Sequence, residues 1–152
     1  YERALKDYKQ SLDFYPCGGK EQFFVANACI ALGKNKEALS HYEQMEKITD
    51  NMGFIFKYAK ELRSLGYHQK AIKAYTKLIS LGRGNADAFR GRADCYLKLK
   101  EYERALTDFN KAIQFDIDES PDTYRQRAVV YEKLGRFANA AADRKKADLL
   151  SR

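Results

Sequence analysis

The sequence holds little of what marks specialised chemistry or a specialised environment. It has two prolines, three cysteines and two histidines. Cys17, Cys29 and Cys95 are odd in number, irregularly spaced and unaccompanied by a C-x-x-C or a Cys/His cluster, so neither a disulfide framework nor a zinc site is expected. A reduced compartment, cytoplasmic or nuclear, suits them. Long hydrophobic runs are missing too: the longest, Phe23 to Leu32, is ten residues with Asn27 inside it, against the ~20 of a membrane helix. No membrane association is expected. The N-terminus carries no basic-then-apolar leader, although a first residue of Tyr rather than Met suggests a fragment.

What is present suits a folded chain. Of 152 residues, 45% are hydrophobic and 32% charged, which excludes wholesale disorder, and the length fits one domain. The net charge of +7 is unevenly placed, with seven basic and seven acidic side chains in residues 1–48 and 21 against 14 in residues 49–152. Any attraction for anions, whether nucleic acid or acidic peptide, belongs to the later part.

An internal repeat organises the whole chain. Tyr1–Phe14 reads YERALKDYKQSLDF and Tyr102–Phe115 reads YERALTDFNKAIQF, two copies of one unit. An alanine of the same motif recurs at Ala4, Ala38, Ala71, Ala105 and Ala140, in steps of 34, 33, 34 and 35 residues, a period that fits helical hairpins. Within a unit, Phe89, Ala93 and Tyr96, then Ala105, Phe109 and Ala112, keep the three-and-four spacing of two amphipathic helices. Junctions fall at Gly33, Gly66, Lys100 and Gly135, while Pro16, Pro121, Asn51, Asn85 and Asp118-Glu119-Ser120 mark the joints between hairpins. The pattern predicts nine helices near 1–14, 20–32, 35–48, 52–65, 68–81, 86–99, 102–115, 121–134 and 137–150. One domain over 1–152 is expected, with half a repeat in 1–18 and full repeats in 19–51, 52–85, 86–120 and 121–152.

This pattern resembles the tetratricopeptide repeat. Phe89-x-x-Arg92-Ala93-x-x-Tyr96 followed by Ala105-x-x-x-Phe109 is the clearest instance, and Ala4-x-x-x-Tyr8 with Pro16 reproduces a second helix and its closing proline. Gln22, Cys29, Leu62 and Ile117 depart from it. The resemblance implies an all-α, right-handed superhelical solenoid of antiparallel helix pairs, about four and a half repeats, in which neighbours stack because one hairpin cannot bury its own apolar stripe. Ala26, Ala59, Ala93 and Ala128 then sit at the tight contact within each pair, and Tyr42, Tyr75 and Phe109 are core. Arg92 and Arg127 stand sixteen residues before Asp108 and Asp143, which predicts a structural Arg-Asp bridge in each of the last two hairpins.

No catalytic constellation accompanies the repeat. His41 and His68 lack a Ser, Cys or paired carboxylate at a gathering distance, and each is expected to be surface or packing. Gly82-Arg83-Gly84 lacks the strand and the Lys-Ser/Thr of a phosphate loop, and Asp116, Asp118 and Glu119 lack the glycine and closing Glu of a calcium loop. Neither enzyme activity, cofactor nor metal is expected.

The function implied by the resemblance is that of an adaptor or scaffold whose concave groove, lined by first helices, takes an extended segment or helix of another protein. Carried over by position, the groove residues are Phe23, Asn27, Phe56, Lys57, Lys60, Arg63, Arg90, Lys98, Arg125 and Lys133. Its basic middle suits an acidic peptide. Heat-shock chaperone tails are not expected partners: the clamp positions of that subclass hold Phe23, Asn27, Lys57, Asp87 and Gly91, or one hairpin later Phe56, Lys60, Gly91, Asp122 and Gln126, and only Asn27 matches. The alternative is an RNA-binding solenoid using the basic surface of residues 49–152, less favoured because most Tyr and Phe are spent on the repeat interior. Tyr1–Phe14 carries an interior pattern (Leu5, Tyr8, Leu12) without a first helix, so the array is expected to continue upstream and its N-terminal edge to self-associate. Arg144, Lys145, Lys146, Asp148 and Arg152 make the last helix polar, as in a capping repeat.

Overall fold

The computed structural model describes residues 1–14, 19–83, 85–116 and 119–151. Pro16, Cys17, Gly84, Ile117, Asp118 and Arg152, on which some of the expectations above rest, lie outside the described residues. Nine α-helices and no strand occur among the described residues: α1 Glu2–Phe14, α2 Gly19–Ala31, α3 Asn35–Ile48, α4 Met52–Ser64, α5 His68–Leu78, α6 Ala86–Lys98, α7 Tyr102–Phe115, α8 Pro121–Lys133 and α9 Phe137–Leu150. Eight lie within a residue of the predicted ends. The exception is α5, which stops at Leu78 and continues as a wider turn over Ile79–Arg83, closed by Gly82 at φ 80°.

Each hairpin turns by the same backbone device. Gly33, Gly66, Lys100 and Gly135 adopt φ of 71°, 81°, 62° and 72°. In each case the next amide reaches back to a carbonyl five residues earlier: Lys34 to Cys29 (2.8 Å), Tyr67 to Leu62 (2.8 Å), Glu101 to Tyr96 (2.9 Å) and Arg136 to Tyr131 (2.8 Å). This satisfies helix-end carbonyls that would otherwise be orphaned. Lys100 alone does so against the steric preference of an L side chain.

The chain divides into two compact units, Tyr1–Ile55 and Phe56–Arg152, with the boundary inside α4. In the first unit α2 packs on α3 around Val25, Ala26, Cys29, Ala38, Tyr42 and Met45, all fully buried. Phe24 stacks on Tyr8 of α1 with ring centroids 5.2 Å apart. Gln22, one of the departures from the repeat pattern, is buried and its Oε1 lies 2.7 Å from His41 Nδ1 on α3. Burial holds the His41 imidazole below its usual pKa; Glu37 opposes that shift and Lys9 adds to it.

In the second unit Ala93, Ala105, Leu106, Phe109 and Val130 form a core that Tyr96, Leu97, Tyr102, Tyr131 and Leu134 extend. The predicted arginine bridges are there. Arg92 of α6 grips Asp108 of α7 through Nε (2.7 Å) and Nη2 (2.9 Å), and Arg127 of α8 grips Asp143 of α9 at 2.7 and 2.6 Å. Their remaining Nη1 atoms donate to Thr76 of α5 (2.9 Å) and Asn110 of α7 (2.8 Å), a residue on the preceding second helix each time. One guanidinium thus fastens its own hairpin and the one before it.

Candidate functional site

The predicted groove residues part ways in the structure. In the first unit Phe23 is buried, 6% exposed, and stacks on Phe54 at 4.4 Å, so it serves packing and offers no open ring. Asn27 accepts a hydrogen bond from the Tyr42 hydroxyl at 2.7 Å. Four residues of the second unit converge: Phe56, Lys60 and Arg63 of α4 and Arg90 of α6 line one pocket of about 230 Å³. Lys98 of α6 lines a second, larger one. Lys57 and Lys133 are exposed and line neither, and Arg125 is held by Asp122 (3.0 Å) and by Ser151 (2.7 Å).

The floor of the smaller pocket comes from a close approach. Gly91 of α6 lies against the ring of Tyr75 from α5, where a Cβ would stand 2.4 Å from Tyr75 Cζ. No side chain fits there, which lets α6 settle onto the tyrosine. Burial pushes the Tyr75 hydroxyl up to about 12, so it faces the pocket as a neutral phenol. Around it stand three cations and one carboxylate. Arg90 pairs with Asp87 and donates to the buried Thr123 (3.3 Å), and Arg63 pairs with Asp94 of α6. Lys60 lies over the Phe56 ring, 5.7 Å from its centroid, and has no ion pair among the described residues. Burial pushes the Asp94 carboxyl up, against the pull of Arg63.

The Arg63–Asp94 pair also borders the second pocket, about 330 Å³, where Leu97, Lys98, His68 and Gln126 complete the lining. His68, expected to be surface or packing, and Gln126 were not among the groove residues read from the sequence. Neither was the Tyr75–Gly91 floor. One signal for it lay in the repeat register: Phe24, Lys57 and Gln126 occupy the place of Gly91, and a lone glycine among larger residues inside a helix indicates a close neighbour.

Known proteins share this arrangement of helices. Tetratricopeptide-repeat models match residues 54–83 and 86–118. The TPR repeat-containing thioredoxin TDX of Arabidopsis thaliana is 36% identical over 85 residues, which are 56% of this chain and 22% of that protein. Serine/threonine-protein phosphatase 5 of Mus musculus is 37% identical over 76 residues, 50% of this chain and 15% of the phosphatase. The chain therefore spans less than a quarter of the length of these relatives. Among solved structures, MamA from Desulfovibrio magneticus RS-1 superposes with a TM-score of 0.87 over 99% of this chain and 85% of its own, at 16% identity. YrrB, described as a TPR protein with an unusual peptide-binding site, does so with a TM-score of 0.85 over 98% of this chain and 77% of its own, at 19% identity. No helix among the described residues is long and apolar enough to cross a membrane. The repeats support a role in protein–protein interaction: residues 54–83 and 86–118 match tetratricopeptide repeats, and the nine helices among the described residues, in the predicted order, give the chain an all-α, helix-pair solenoid fold.

Proposed function

We propose that the second unit binds an acidic segment of another protein at the pocket formed by Lys60, Arg63 and Arg90. The observation that carries this reading is the imbalance of charge there: three cations line about 230 Å³ with Asp87 as the single carboxylate, and Lys60 has no counter-ion among the described residues. A carboxylate entering the pocket meets Lys60 without displacing an existing partner. Arg63 and Arg90, held by Asp94 and Asp87, add two further guanidinium groups to its lining. The peptide-binding site of YrrB, a protein of this fold, agrees with a peptide as the guest.

Single exposed ion pairs contribute only ~0.2–1 kcal/mol, so the cations must act together and the binding must weaken with salt. The test is fluorescence anisotropy of labelled hexaglutamate with the whole chain at several salt concentrations. Lys60→Glu with Arg90→Glu should abolish measurable binding while leaving the circular dichroism spectrum unchanged. Unaltered affinity in a folded double variant removes the proposal. Binding of a single-stranded RNA oligonucleotide in place of the peptide, with a steep salt dependence, favours the nucleic-acid reading instead.

A further inference from the structure

One hairpin earlier the chain carries a filled version of the Lys60 pocket. Phe23 and Phe56 stand three residues before Ala26 and Ala59, the small residues of their helices, and each meets the tyrosine of its own second helix in nearly the same way. Phe23 lies 6.2 Å from Tyr42 with 59° between the ring planes, and Phe56 lies 6.3 Å from Tyr75 with 69°. Phe54 of the following helix then stacks on Phe23 at 4.4 Å and 17°. No ring stacks in this way on Phe56 among the described residues.

The cause lies at a single position. Phe54 stands five residues before Ala59, and five residues before Ala93 stands Ala88, a buried methyl group in place of a phenyl ring. The same two places meet again one hairpin later, where Arg90 donates to Thr123 at 3.3 Å. The contact therefore belongs to the repeat, and only its side chains change. Phe23 is 6% exposed, whereas Phe56 is half-buried and lines the open pocket of about 230 Å³. What rests over its ring is Lys60, with the ammonium 5.7 Å from the centroid. Lys60 is exposed, and an exposed cation is held only weakly by a ring.

We infer that the segment bound at this pocket carries an aromatic side chain beside its acidic residue, and that the guest's ring stacks on Phe56 as Phe54 stacks on Phe23. The inference rests on the acidic-segment reading and names a second residue that the same site selects. The carboxylate draws the Lys60 ammonium to itself, and the ring takes the face that the ammonium leaves. Both groups are within reach of one peptide: ammonium and ring centroid are 5.7 Å apart, and side chains two residues apart on an extended chain share a face at ~7 Å. An aromatic is favoured over an aliphatic of equal size because offset-stacked rings gain more than their buried area gives.

Three labelled hexapeptides of equal charge, Glu-Glu-Phe-Glu-Glu-Glu and its versions with alanine or cyclohexylalanine at the third place, test this by fluorescence anisotropy with the whole chain. The phenylalanine peptide should bind about fivefold more tightly than the alanine one, and more tightly than the cyclohexylalanine one, which matches its size without a π face. Phe56→Leu, and Ala88→Phe, which supplies the missing ring from within, should each bring the phenylalanine-to-alanine ratio close to one. Circular dichroism checks that both fold, and Phe56→Leu carries the test if the buried Ala88 site rejects a ring. Equal affinity for the phenylalanine and alanine peptides, equal affinity for the phenylalanine and cyclohexylalanine ones, or a preference that survives Phe56→Leu overturns the inference. So does self-association in light scattering that Phe56→Leu abolishes, since the ring then comes from a second copy. If no acidic peptide binds, the acidic-segment reading falls and neutral 3-phenylpropanamide decides the ring site. Ring-current shifts of the Phe56 resonances in the ¹³C-labelled chain then retain the site, and their absence removes it.

Discussion

The α2/α3 hairpin and the α6/α7 hairpin occupy the same register of the repeat yet fill their interior polar slot differently. In α6/α7 the slot holds a charged fork, Arg92 on Asp108, with side chains only 14% and 4% exposed. In α2/α3 Val25 stands in the place of Arg92 and His41 in that of Asp108, and the polar pair has moved one turn along α2, to Gln22. A repeat thus tolerates loss of the arginine when a neighbour one helical turn away supplies the partner. A second contrast follows the same register. Phe24 stacks on Tyr8, whereas Gly91, its counterpart, gives its space to Tyr75. In the first unit a large residue meets the aromatic of the preceding second helix. At Gly91 the side chain is absent and the Tyr75 ring occupies the space it would fill.

The sharpest way to break the comparison is to remove one partner of the fork. Asp108→Ala leaves the largely buried Arg92 side chain without its anion and should cost ~3–5 kcal/mol, read as a fall in urea midpoint. Replacing both, with Arg92→Met and Asp108→Leu, should recover most of that loss, because the desolvation penalty disappears with the charges. The α2/α3 hairpin should lose less: His41→Ala strands only the neutral amide of Gln22, at ~1–3 kcal/mol.

Next comes the glycine. Gly91→Ala puts a methyl group within 2.4 Å of the buried Tyr75 ring and should destabilise by ~1–3 kcal/mol as α6 is pushed off α5. Tyr75→Leu in the same chain should restore part of it. If Gly91→Ala melted at the wild-type temperature, the close approach would not be what holds α6 in place.

The third prediction concerns pH, on which the two slots should diverge. The His41 imidazole lies below 6.5 in the folded chain because burial disfavours its charged form, so the unfolded chain binds that proton first. The sign follows: its contribution to stability is complete above pH 6.5 and is lost as the pH falls through the interval between 6.5 and the lower folded value. Chemical denaturation at pH 7.5 and pH 5 should show this slope, and His41→Asn should flatten it. An unchanged slope in that variant would assign it to other groups.

The smallest effect is at the turns. Lys100 has φ 62° where the other three hairpins use glycine. Lys100→Gly should stabilise by ~0.5–1 kcal/mol, the left-handed strain relieved less the extra chain entropy of glycine, and Gly135→Lys should destabilise by a similar amount. Thermal melting of the two variants measures both directions.

How far these features were legible from sequence depends on the range over which each is encoded. Helix positions follow from a pattern repeated every few residues, and the turns from one residue each, so Gly33, Gly66, Lys100 and Gly135 are found where the spacing puts them. The Arg92–Asp108 and Arg127–Asp143 forks were legible because two copies of one pair, sixteen residues apart, sit beside hairpins lacking both. The end of α5 was not, since Ile79 and Ser80 continue an acceptable helical pattern and the widening towards Gly82 arises in the backbone. The groove was read by position alone, which cannot say that Phe23 turns inward onto Phe54 or that Asn27 is taken by Tyr42. Those outcomes depend on contacts between helices tens of residues apart. The pocket residues His68 and Gln126 carry no local signature at all.

The double grip of the arginines gives the chain a direction. Arg127 holds Asp143 within its own hairpin by two bonds and Asn110 of the preceding second helix by one; Arg92 does the same with Asp108 and Thr76. Tension applied at the C-terminus would meet the single bond before the double one, so α8 and α9 should peel away together, and α6 and α7 after them. Shuffled into a new order, a hairpin bearing such an arginine would keep its grip only behind one that offers a hydroxyl or amide at the Thr76 or Asn110 place. Adjacency rules for building longer arrays from these parts are therefore written in a single side chain per hairpin.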